Sequence, residues 1–310
     1  MIQVEDLRKS YGDAIAVDGI TFTAEPGRIF GLLGPNGAGK TTSIDCISGV
    51  HKPTSGRILV GEFDIVHNAR QAKAQIGVVP QEVALYEEVS ARENLHFWGG
   101  ACGLKGATLK ERATEVLELI GLIDRAEEAI KKYSGGMKRR LNFGCGIMHQ
   151  PPVLLLDEPT VGIDPQSRIR LLDLVREQAA TGVTVLYTTH YMEEAEALCD
   201  EIAIIDHGTI HAQGSLEELR ILVGEKDMVR LTGTFDPATV SQAIGDNLRD
   251  VEILESDEEV LLVSMMDAAG NLAALLGVLH DTGAVLRETS VRRPSLETLF
   301  IKMTGKELRE

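Results

Sequence analysis

The chain has 310 residues, of which 44% are hydrophobic and 25% charged, and its formal net charge is −16. This size and hydrophobic content predict one large domain or two smaller ones with a sizeable core. The acidic balance argues against a primary nucleic-acid binder, which needs a basic surface to displace counterions from phosphates. None of the four cysteines lies in a CxxC pair, so no thiol zinc site or redox motif is predicted.

The sequence contains no apolar run long enough for a membrane-spanning helix, which needs about 18 residues or more. The most apolar stretch, residues 261–286, is interrupted by Asp267, Asn271, His280 and Asp281. The amino terminus carries charges where a signal peptide needs an apolar segment. Free thiols suit a reducing cytoplasm. We therefore expect a cytoplasmic protein whose role at a membrane would come through a partner.

Strand-like runs alternate with helical stretches from residue 1 to about 220. Continuous apolar runs are typical of strands buried on both faces of a parallel sheet. Residues 87–150 are predicted to be mostly helical, and a further helix is predicted to start at Asp164-Pro165 and to stop at Gly182. This pattern predicts an α/β core with a helical insertion. The predicted strands of the core are residues 28–33, 76–79, 153–156 and 183–187.

The character of the chain changes after residue 220, where shorter elements follow one another in the order β-α-β-β-α-β. This order resembles the split βαβ, or ferredoxin-like, plan. We therefore expect a core domain at residues 1–220 and a small α+β accessory domain at residues 221–310. The predicted elements of the small domain are residues 228–234, 237–244, 251–254, 260–265, 268–280, 284–289 and 295–303.

A glycine-rich segment fits the phosphate-loop pattern G-x-x-x-x-G-K-[ST], and it lies between a predicted strand and a predicted helix, which is the context the motif needs. Glycines let the backbone approach phosphate oxygens, and the N–H groups at a helix start attract anions. Lys40 supplies a full positive charge, and Thr41 offers a hydroxyl to Mg²⁺. The predicted nucleotide-binding residues of this loop are Gly34, Pro35, Asn36, Gly37, Ala38, Gly39, Lys40, Thr41 and Thr42.

Two acids end the apolar run VLLLDE, and they can have different roles because neighbours on a strand point to opposite sides. Asp157 can hold Mg²⁺ through water. Glu158 can polarise an attacking water. By themselves, such acids also occur as a helix cap or in a solvated turn. The phosphate loop in the same chain favours the nucleotide interpretation.

The segment Tyr133-Ser-Gly-Gly-Met137 predicts a second anion site. Ser134 is a plausible helix N-cap, and Gly135 and Gly136 expose backbone N–H groups at the start of a helix that we expect to run until Pro151. The segment resembles LSGGQ, the signature of ABC-type ATPases, with Tyr133 in place of leucine and Met137 in place of glutamine.

Further residues resemble the ABC pattern in the order in which that family has them. Gln81 is similar to the Q-loop glutamine, residues 160–164 (TVGID) to the D-loop that ends in Asp164, and His190 to the switch histidine. Tyr11 is similar to the aromatic residue that stacks on adenine. Outside this pattern, a single histidine after a strand is usually structural, and a tyrosine in an amino-terminal loop often only packs.

The resemblance covers residues 1–215 and implies a P-loop NTPase core of the ABC type with ATP and Mg²⁺ as cofactors. It implies catalytic roles for Glu158, His190 and Gln81, and metal binding by Thr41, Gln81 and Asp157. The nucleotide would be sandwiched in a head-to-tail homodimer between one chain's phosphate loop and the other chain's residues 134–137. Tyr11 and Asp164 complete the implied nucleotide site.

The resemblance also implies separate integral-membrane permease subunits, which would hold this chain at the cytoplasmic face of the cell membrane. The carboxyl-terminal segment RRPSLETLFIKMTGKEL is similar to the tail of drug- and antibiotic-exporter ATPases. We expect residues 82–98, with Val83, Leu85, Tyr86 and Val89, to contact the permease. The alternatives are an ordinary packed helix at this place, a non-transport ABC ATPase acting on nucleic acid or the ribosome, and a module that holds ATP without hydrolysing it.

Overall fold

The structure, a computed structural model, describes residues 1–222 and 226–292 together with Leu296 and Phe300. These residues fall into two units, one ending at Leu216 and one beginning at Glu217. The predicted last helix, residues 295–303, lies outside the described residues except for Leu296 and Phe300, which are both buried.

The first unit contains two sheets and the helices that pack on them. Two short 3₁₀ turns, Ile123–Arg125 and Ile130–Lys132, lie between two of these helices. In chain order its other elements are β1 (Ile2–Tyr11), β2 (Ala14–Ala24), β3 (Ile29–Leu33), α1 (Lys40–Ile47), β4 (Ser55–Val60), β5 (Phe63–Asp64), α2 (Ala69–Ala74), β6 (Ile76–Val79), α3 (Ala91–Ala101), α4 (Gly106–Leu119), α5 (Gly135–Gly146), β7 (Val153–Asp157), α6 (Pro165–Ala180), β8 (Thr184–Thr189), α7 (Met192–Leu198), β9 (Glu201–Asp206) and β10 (Thr209–Gly214). The next helix, α8 (Leu216–Leu222), begins at the last residue of the first unit and continues into the second.

The central sheet has the strand order β10-β9-β3-β8-β7-β6. The five neighbouring strands β9, β3, β8, β7 and β6 are parallel to one another, and β10 pairs antiparallel with β9. Every residue of β3, β7 and β8 is buried, as the apolar runs predict. Along β7, Leu154 and Leu156 join the core formed with the helices α3 to α6, whereas Val153 and Leu155 join the core on the other face.

A second, antiparallel sheet with the order β2-β1-β4-β5 covers that other face of the core. Its strands alternate only in part between buried and exposed residues, and β1 is interrupted by register shifts such as the one between Val4 and Leu7. This sheet was not predicted from the sequence.

The helical insertion contains α3, α4 and α5, within the range predicted for it. Helix α3 begins with a capping box, in which Ser90 accepts from the N–H of Glu93 and the Glu93 carboxylate accepts from the N–H of Ser90. Helix α5 ends at Gly146, so the prediction that it continues to Pro151 was wrong. Glycines weaken its last turns, and Gln150 has a positive φ of 53°, so the chain leaves the helical path before the proline.

The second unit contains β11 (Asp227–Thr234), α9 (Pro237–Asn247), β12 (Val251–Ser256), β13 (Val260–Met265), α10 (Ala268–Asp281) and β14 (Val285–Arg292). Its sheet has the order β12-β13-β11-β14, and all neighbouring strands are antiparallel. This element order and this sheet are those of a split βαβ arrangement. Its core combines β11 and β13 with both helices.

Across residues 1–222 and 226–292, none of the helices combines the length and the apolar character that crossing a bilayer requires.

Candidate nucleotide-binding site

The phosphate loop connects β3 to α1, and two of its glycines are required by the backbone. Gly39 has φ 105°, and a Cβ there would overlap the carbonyl oxygen of Ala16. A Cβ at Gly34 would overlap the carbonyl oxygen of Ile205. The loop therefore lies too close to its neighbours, and turns too sharply, for any residue with a side chain at these two positions.

Lys40 begins α1 and is almost completely buried, with 4% of its surface exposed. Its ammonium group donates to the carbonyl oxygens of Gly34 at 2.7 Å and Pro35 at 3.0 Å. The same group lies 2.9 Å from Oε1 of Glu158. The charge is thus held inside the curve of the loop, where the loop would surround a phosphate.

Asp157 and Glu158 lie at the carboxyl end of β7, beside the end of β8, and both are buried. Thr188 of β8 holds the pair in place. Its hydroxyl donates to Oδ1 of Asp157 at 2.6 Å and accepts from the backbone N–H of Glu158 at 3.0 Å. Glu158 has a positive φ of 41°, an uncommon conformation for a residue with a side chain.

Three predicted site residues meet at the Glu158 carboxylate. Oε1 contacts Lys40, as described above. Oε2 accepts from Nε2 of Gln81 at 3.3 Å and lies 3.1 Å from Nδ1 of His190. Burial acts to raise the pKa of Glu158, but the hydrogen bond and charge of Lys40, together with His190, outweigh it and leave this pKa below its usual value. The carboxylate is therefore ionised and able to accept a proton.

Lys40, Gln81 and Glu158 line a cleft of about 340 Å³, a size suited to a small ligand, whereas His190 is not among its lining residues. Thr41, which has a hydroxyl, and Gln81, which has an amide oxygen, belong to its lining, and Asp157 is the residue before Glu158. Oxygen atoms of this kind are the ligands that Mg²⁺ prefers, and a Mg²⁺ ion bound by few protein groups takes its remaining ligands from water and phosphate. The lining of the cleft is Ala16, Asn36, Gly37, Gly39, Lys40, Thr41, Thr42, Gln81 and Glu158.

Tyr11 lies at the end of β1, with 46% of its surface exposed. His51 contacts its ring edge-on, with 5.6 Å between the ring centroids, and the ammonium group of Lys9 lies 4.8 Å from the ring centroid. The pKa of Tyr11 is raised, first by burial, although a hydrogen bond with Thr42 opposes the rise. Tyr11 thus lies near Thr42 of the phosphate-loop helix and stays about half exposed, although it is not among the residues that line the cleft.

The segment Tyr133–Met137 starts α5 as predicted. The Ser134 hydroxyl accepts from the N–H of Met137 at 3.3 Å, which makes it the N-cap. Tyr133 is buried and donates to the carbonyl oxygen of Arg125 at 2.7 Å. The Met137 side chain packs against the core. The two departures from LSGGQ are therefore core-packing residues of this subunit.

The serine–glycine turn contacts the start of α6 rather than the phosphate loop of its own chain. A Cβ at Gly136 would overlap the Ser167 side chain, and Asp164 caps α6 by accepting from the N–H of Ser167 at 2.9 Å. Ser134 and Gly135 are exposed. Among the residues that the structure describes, Ser134–Met137 do not line the cleft at Lys40.

Comparison with known proteins identifies the family. Residues 17–161 match the family model described as ABC transporter. The chain is 44% identical to the linearmycin resistance ATP-binding protein LnrL of Bacillus subtilis, over 100% of both chains. The chain belongs to the ABC transporter family. This membership confirms the resemblance on which the sequence analysis relied and makes the chain an ATP-hydrolysing subunit with a P-loop NTPase core.

Other relatives of this ABC subunit agree with the assignment. It is 38% identical to the Nod factor export ATP-binding protein I of Ralstonia nicotianae, over 100% of this chain and 95% of the relative. It also superposes on a solved structure described as the ATP binding subunit of an ABC transporter, with a TM-score of 0.66 and 31% identity. That superposition covers 72% of this chain and 93% of the other.

Two polar residues that support the site were missed by the sequence analysis. Thr188 stands in an apolar strand, where a threonine is common for its β-propensity alone. Glu194 reads as one of several acids in MEEAEAL, but it is buried, with 2% of its surface exposed. The position of Thr188 at the carboxyl end of an apolar strand could have marked it as a site candidate, whereas no local pattern marks Glu194.

Proposed function

We propose that this ABC subunit works as a homodimer that clamps ATP between two copies and drives export through separately encoded integral-membrane permease subunits. The observation that carries the proposal is the convergence of Lys40, Gln81 and His190 on the Glu158 carboxylate within 3.3 Å. A buried phosphate-loop lysine and an ionised glutamate at one cleft supply the positive charge and the base that nucleotide hydrolysis uses.

In this proposal Glu158 acts as the general base toward the water that attacks the γ-phosphate. Before ATP binds, its lowered pKa keeps it ionised, and Gln81 and His190 fix the orientation of its carboxylate. Lys40 would exchange its contact with Glu158 for the phosphate oxygens, which releases the carboxylate to bind water. His190 can then donate toward the charge that develops on the γ-phosphate.

Magnesium fits the oxygen groups around the cleft. We propose that Thr41 and Gln81 bind it directly and that Asp157, held by Thr188, binds it through water. When bound, the ion neutralises charge on the β- and γ-phosphate oxygens. The protein's own contribution is to hold the three side chains in position.

The exposed turn at Ser134 supports the homodimer. Ser134 and Gly135 present a hydroxyl and N–H groups at the start of α5, a 12-residue helix, and this end of the helix attracts anions. Because the turn does not line its own subunit's cleft, we propose that it donates to the γ-phosphate held by the partner copy. Asp164, which caps the neighbouring helix α6, would then face the same dimer interface.

A groove of about 300 Å³ beside Gln81 supports the permease contact. It lies between β6, α3 and α5, and Val78, Pro80 and Trp98 are among its lining residues. Within the predicted segment 82–98, the ring centroids of Tyr86 and Phe97 lie 4.8 Å apart, and both residues are about half exposed. Leu85, in contrast, packs against the core. We propose that a cytoplasmic helix of the permease occupies this groove and lies against the two rings.

The direction of transport is inferred from the relatives. One is named for linearmycin resistance and another for Nod factor export, and neither name refers to nucleic acid or the ribosome. We propose that this subunit powers the export of a drug-like, antibiotic or lipid-like molecule. It would work at the cytoplasmic face of the cell membrane, where its permease holds it.

Phosphate release by the purified chain with ATP and Mg²⁺ tests the proposal. We expect the wild type to release phosphate, and Glu158→Gln to bind ATP while its turnover falls by roughly 10²-fold or more, since general-base catalysis contributes that much. The exposed Glu62→Gln serves as the matched control and should hydrolyse like the wild type. Hydrolysis by Glu158→Gln at the wild-type rate would remove Glu158 from the assigned role.

A further inference from the structure

We infer that Glu194 is a positioning residue that ties the His190 segment to the D-loop, residues 160–164. The inference rests on the proposed roles of Glu158 and His190. Glu194 lies on the short helix α7, and its buried carboxylate is outside the cleft lining and outside the set of residues that contact Glu158. Its function must therefore come from the groups that it holds.

Each carboxylate oxygen of Glu194 contacts two groups: those at Oε1 come from the D-loop and α6, and those at Oε2 both come from β8. Oε1 accepts from the Thr160 hydroxyl at 2.7 Å and lies 3.3 Å from Nε of Arg168, at ion-pair distance. Oε2 accepts from the Tyr187 hydroxyl at 2.8 Å and from the Thr189 hydroxyl at 3.0 Å. The buried charge is thus surrounded by donors and one cation, as a buried carboxylate requires.

The residues on both sides of His190 belong to this network. Thr189, which donates to Glu194, also accepts from the backbone N–H of Tyr191 at 2.9 Å. The guanidinium of Arg168 lies 4.7 Å from the centroid of the Tyr191 ring. The backbone that carries the His190 ring toward Glu158 is therefore fixed at its preceding and its following residue.

The D-loop is attached to the same carboxylate. Thr160 is 1% exposed, and it lies between Glu158 and the residues that lead to Asp164. The proposed dimer places the D-loop at the interface between the two copies. A movement of the D-loop would therefore displace Glu194 and, through it, the His190 segment. Glu194 thereby couples the dimer interface to the orientation of the catalytic histidine within one subunit.

The test compares ATP hydrolysis by the full-length wild type, Glu194→Gln and the control Glu193→Gln, which makes the same charge change at the exposed neighbour on α7. Glutamine places an amide N–H where one oxygen of Glu194 accepts and removes the charge that faces Arg168, so the hydroxyl partners must reorient and the ion pair is lost. We expect kcat to fall on the order of tenfold to 10²-fold, the effect of misplacing a catalytic group. KM for ATP should stay unchanged, because Glu194 does not line the cleft, and Glu193→Gln should match the wild type.

Two further variants separate positioning from a general loss of stability. In a His190→Ala background, Glu194→Gln should lower kcat no further, because its effect passes through His190. Thr160→Val, which removes one hydroxyl contact at similar volume, should lower kcat in the same direction and carries the test if Glu194→Gln does not fold. An unchanged kcat in the single variants, or an equal fall in the His190→Ala background, would overturn the inference. A wild type that releases no phosphate would instead overturn the proposed function.

Discussion

Nζ of Lys40 lies 2.9 Å from Oε1 of Glu158, so the phosphate loop after β3 and the acid after β7 are joined by a buried ion pair. The strands that carry them are separated in the sheet by β8, which supplies Thr188 and leads to His190. The parallel arrangement brings the carboxyl ends of all three strands to one edge. The reacting groups therefore come from distant parts of the sequence.

Lys40→Ala should abolish ATP binding, because the loop loses the only full charge among the cleft-lining residues that can neutralise phosphate oxygens. Titration calorimetry with ATP and Mg²⁺ measures the loss, and Lys105→Ala, which removes an exposed lysine, is the control. Unchanged affinity in Lys40→Ala would count against the loop assignment.

The same variant should change the acid stability of the protein. The folded pKa of Glu158 is lowered from 4.5, so its ionised form stabilises the fold above that value, and the stabilisation is lost as the pH falls through the folded pKa. Without Lys40 the pKa of Glu158 rises, since burial acts in that direction. We expect the difference in melting temperature between wild type and Lys40→Ala to shrink as the pH is lowered below about 4.5. A difference that does not vary with pH would contradict this origin.

Thr188→Val keeps the size of a buried side chain but leaves Oδ1 of Asp157 without its 2.6 Å donor. An unsatisfied buried acceptor costs about 1–3 kcal/mol of unfolding free energy. We also expect lower turnover, because Asp157 and the backbone of Glu158 lose a common support. Thr184→Val, at the other end of β8, also loses a hydrogen bond, to the amino terminus. It should lower stability without lowering turnover, and equal turnover effects in both variants would exclude a specific role for Thr188.

The two glycines of the signature turn should respond differently to alanine. A Cβ at Gly136 overlaps Ser167, so Gly136→Ala should cost about 1–3 kcal/mol of unfolding free energy. A Cβ at Gly135 comes no closer than 3.9 Å to the Gly162 carbonyl oxygen, so Gly135→Ala should fold normally. Its hydrolysis rate should nevertheless fall, because the methyl group faces the proposed partner nucleotide. Thermal unfolding and phosphate release measure the two effects, and full activity in Gly135→Ala would argue against that contact.

Replacing both Tyr86 and Phe97 by alanine should weaken attachment to the permease. We expect a smaller fraction of the double variant to sediment with membranes from the source cells, while its phosphate release in solution stays unchanged. Val50→Ala, at a residue with 67% exposure, controls for the loss of exposed apolar surface. Wild-type sedimentation of the double variant would show that these rings lie outside the contact.

Local sequence patterns predicted the elements of the site better than their connections. The apolar runs predicted β3, β6, β7 and β8 to within a few residues, because strands buried on both faces must be apolar throughout. The phosphate loop and the Asp164 cap were predictable because their chemistry needs particular residues at fixed spacing. The contact of Lys40 with Glu158 and the network around Glu194 depend on the sheet order, which no local pattern contains.

The errors have the same physical basis. The sheet of β1, β2, β4 and β5 was not predicted, because its register shifts interrupt the alternation that identifies an exposed strand. Helix α5 is shorter than predicted, because Gly144 and Gly146 weaken its last turns before the chain reaches Pro151.

The mass of Glu158→Gln in solution, with and without ATP and Mg²⁺, tests the account most directly. Without nucleotide we expect the mass of a single copy. With ATP and Mg²⁺ we expect the mass of two copies and two bound ATP molecules, because the variant does not hydrolyse the ATP that holds the dimer together. Adding Ser134→Arg to this variant should abolish the dimer, since the larger side chain occupies the place of the partner's phosphate. A single copy that holds ATP tightly whether or not Ser134 is changed would contradict the account.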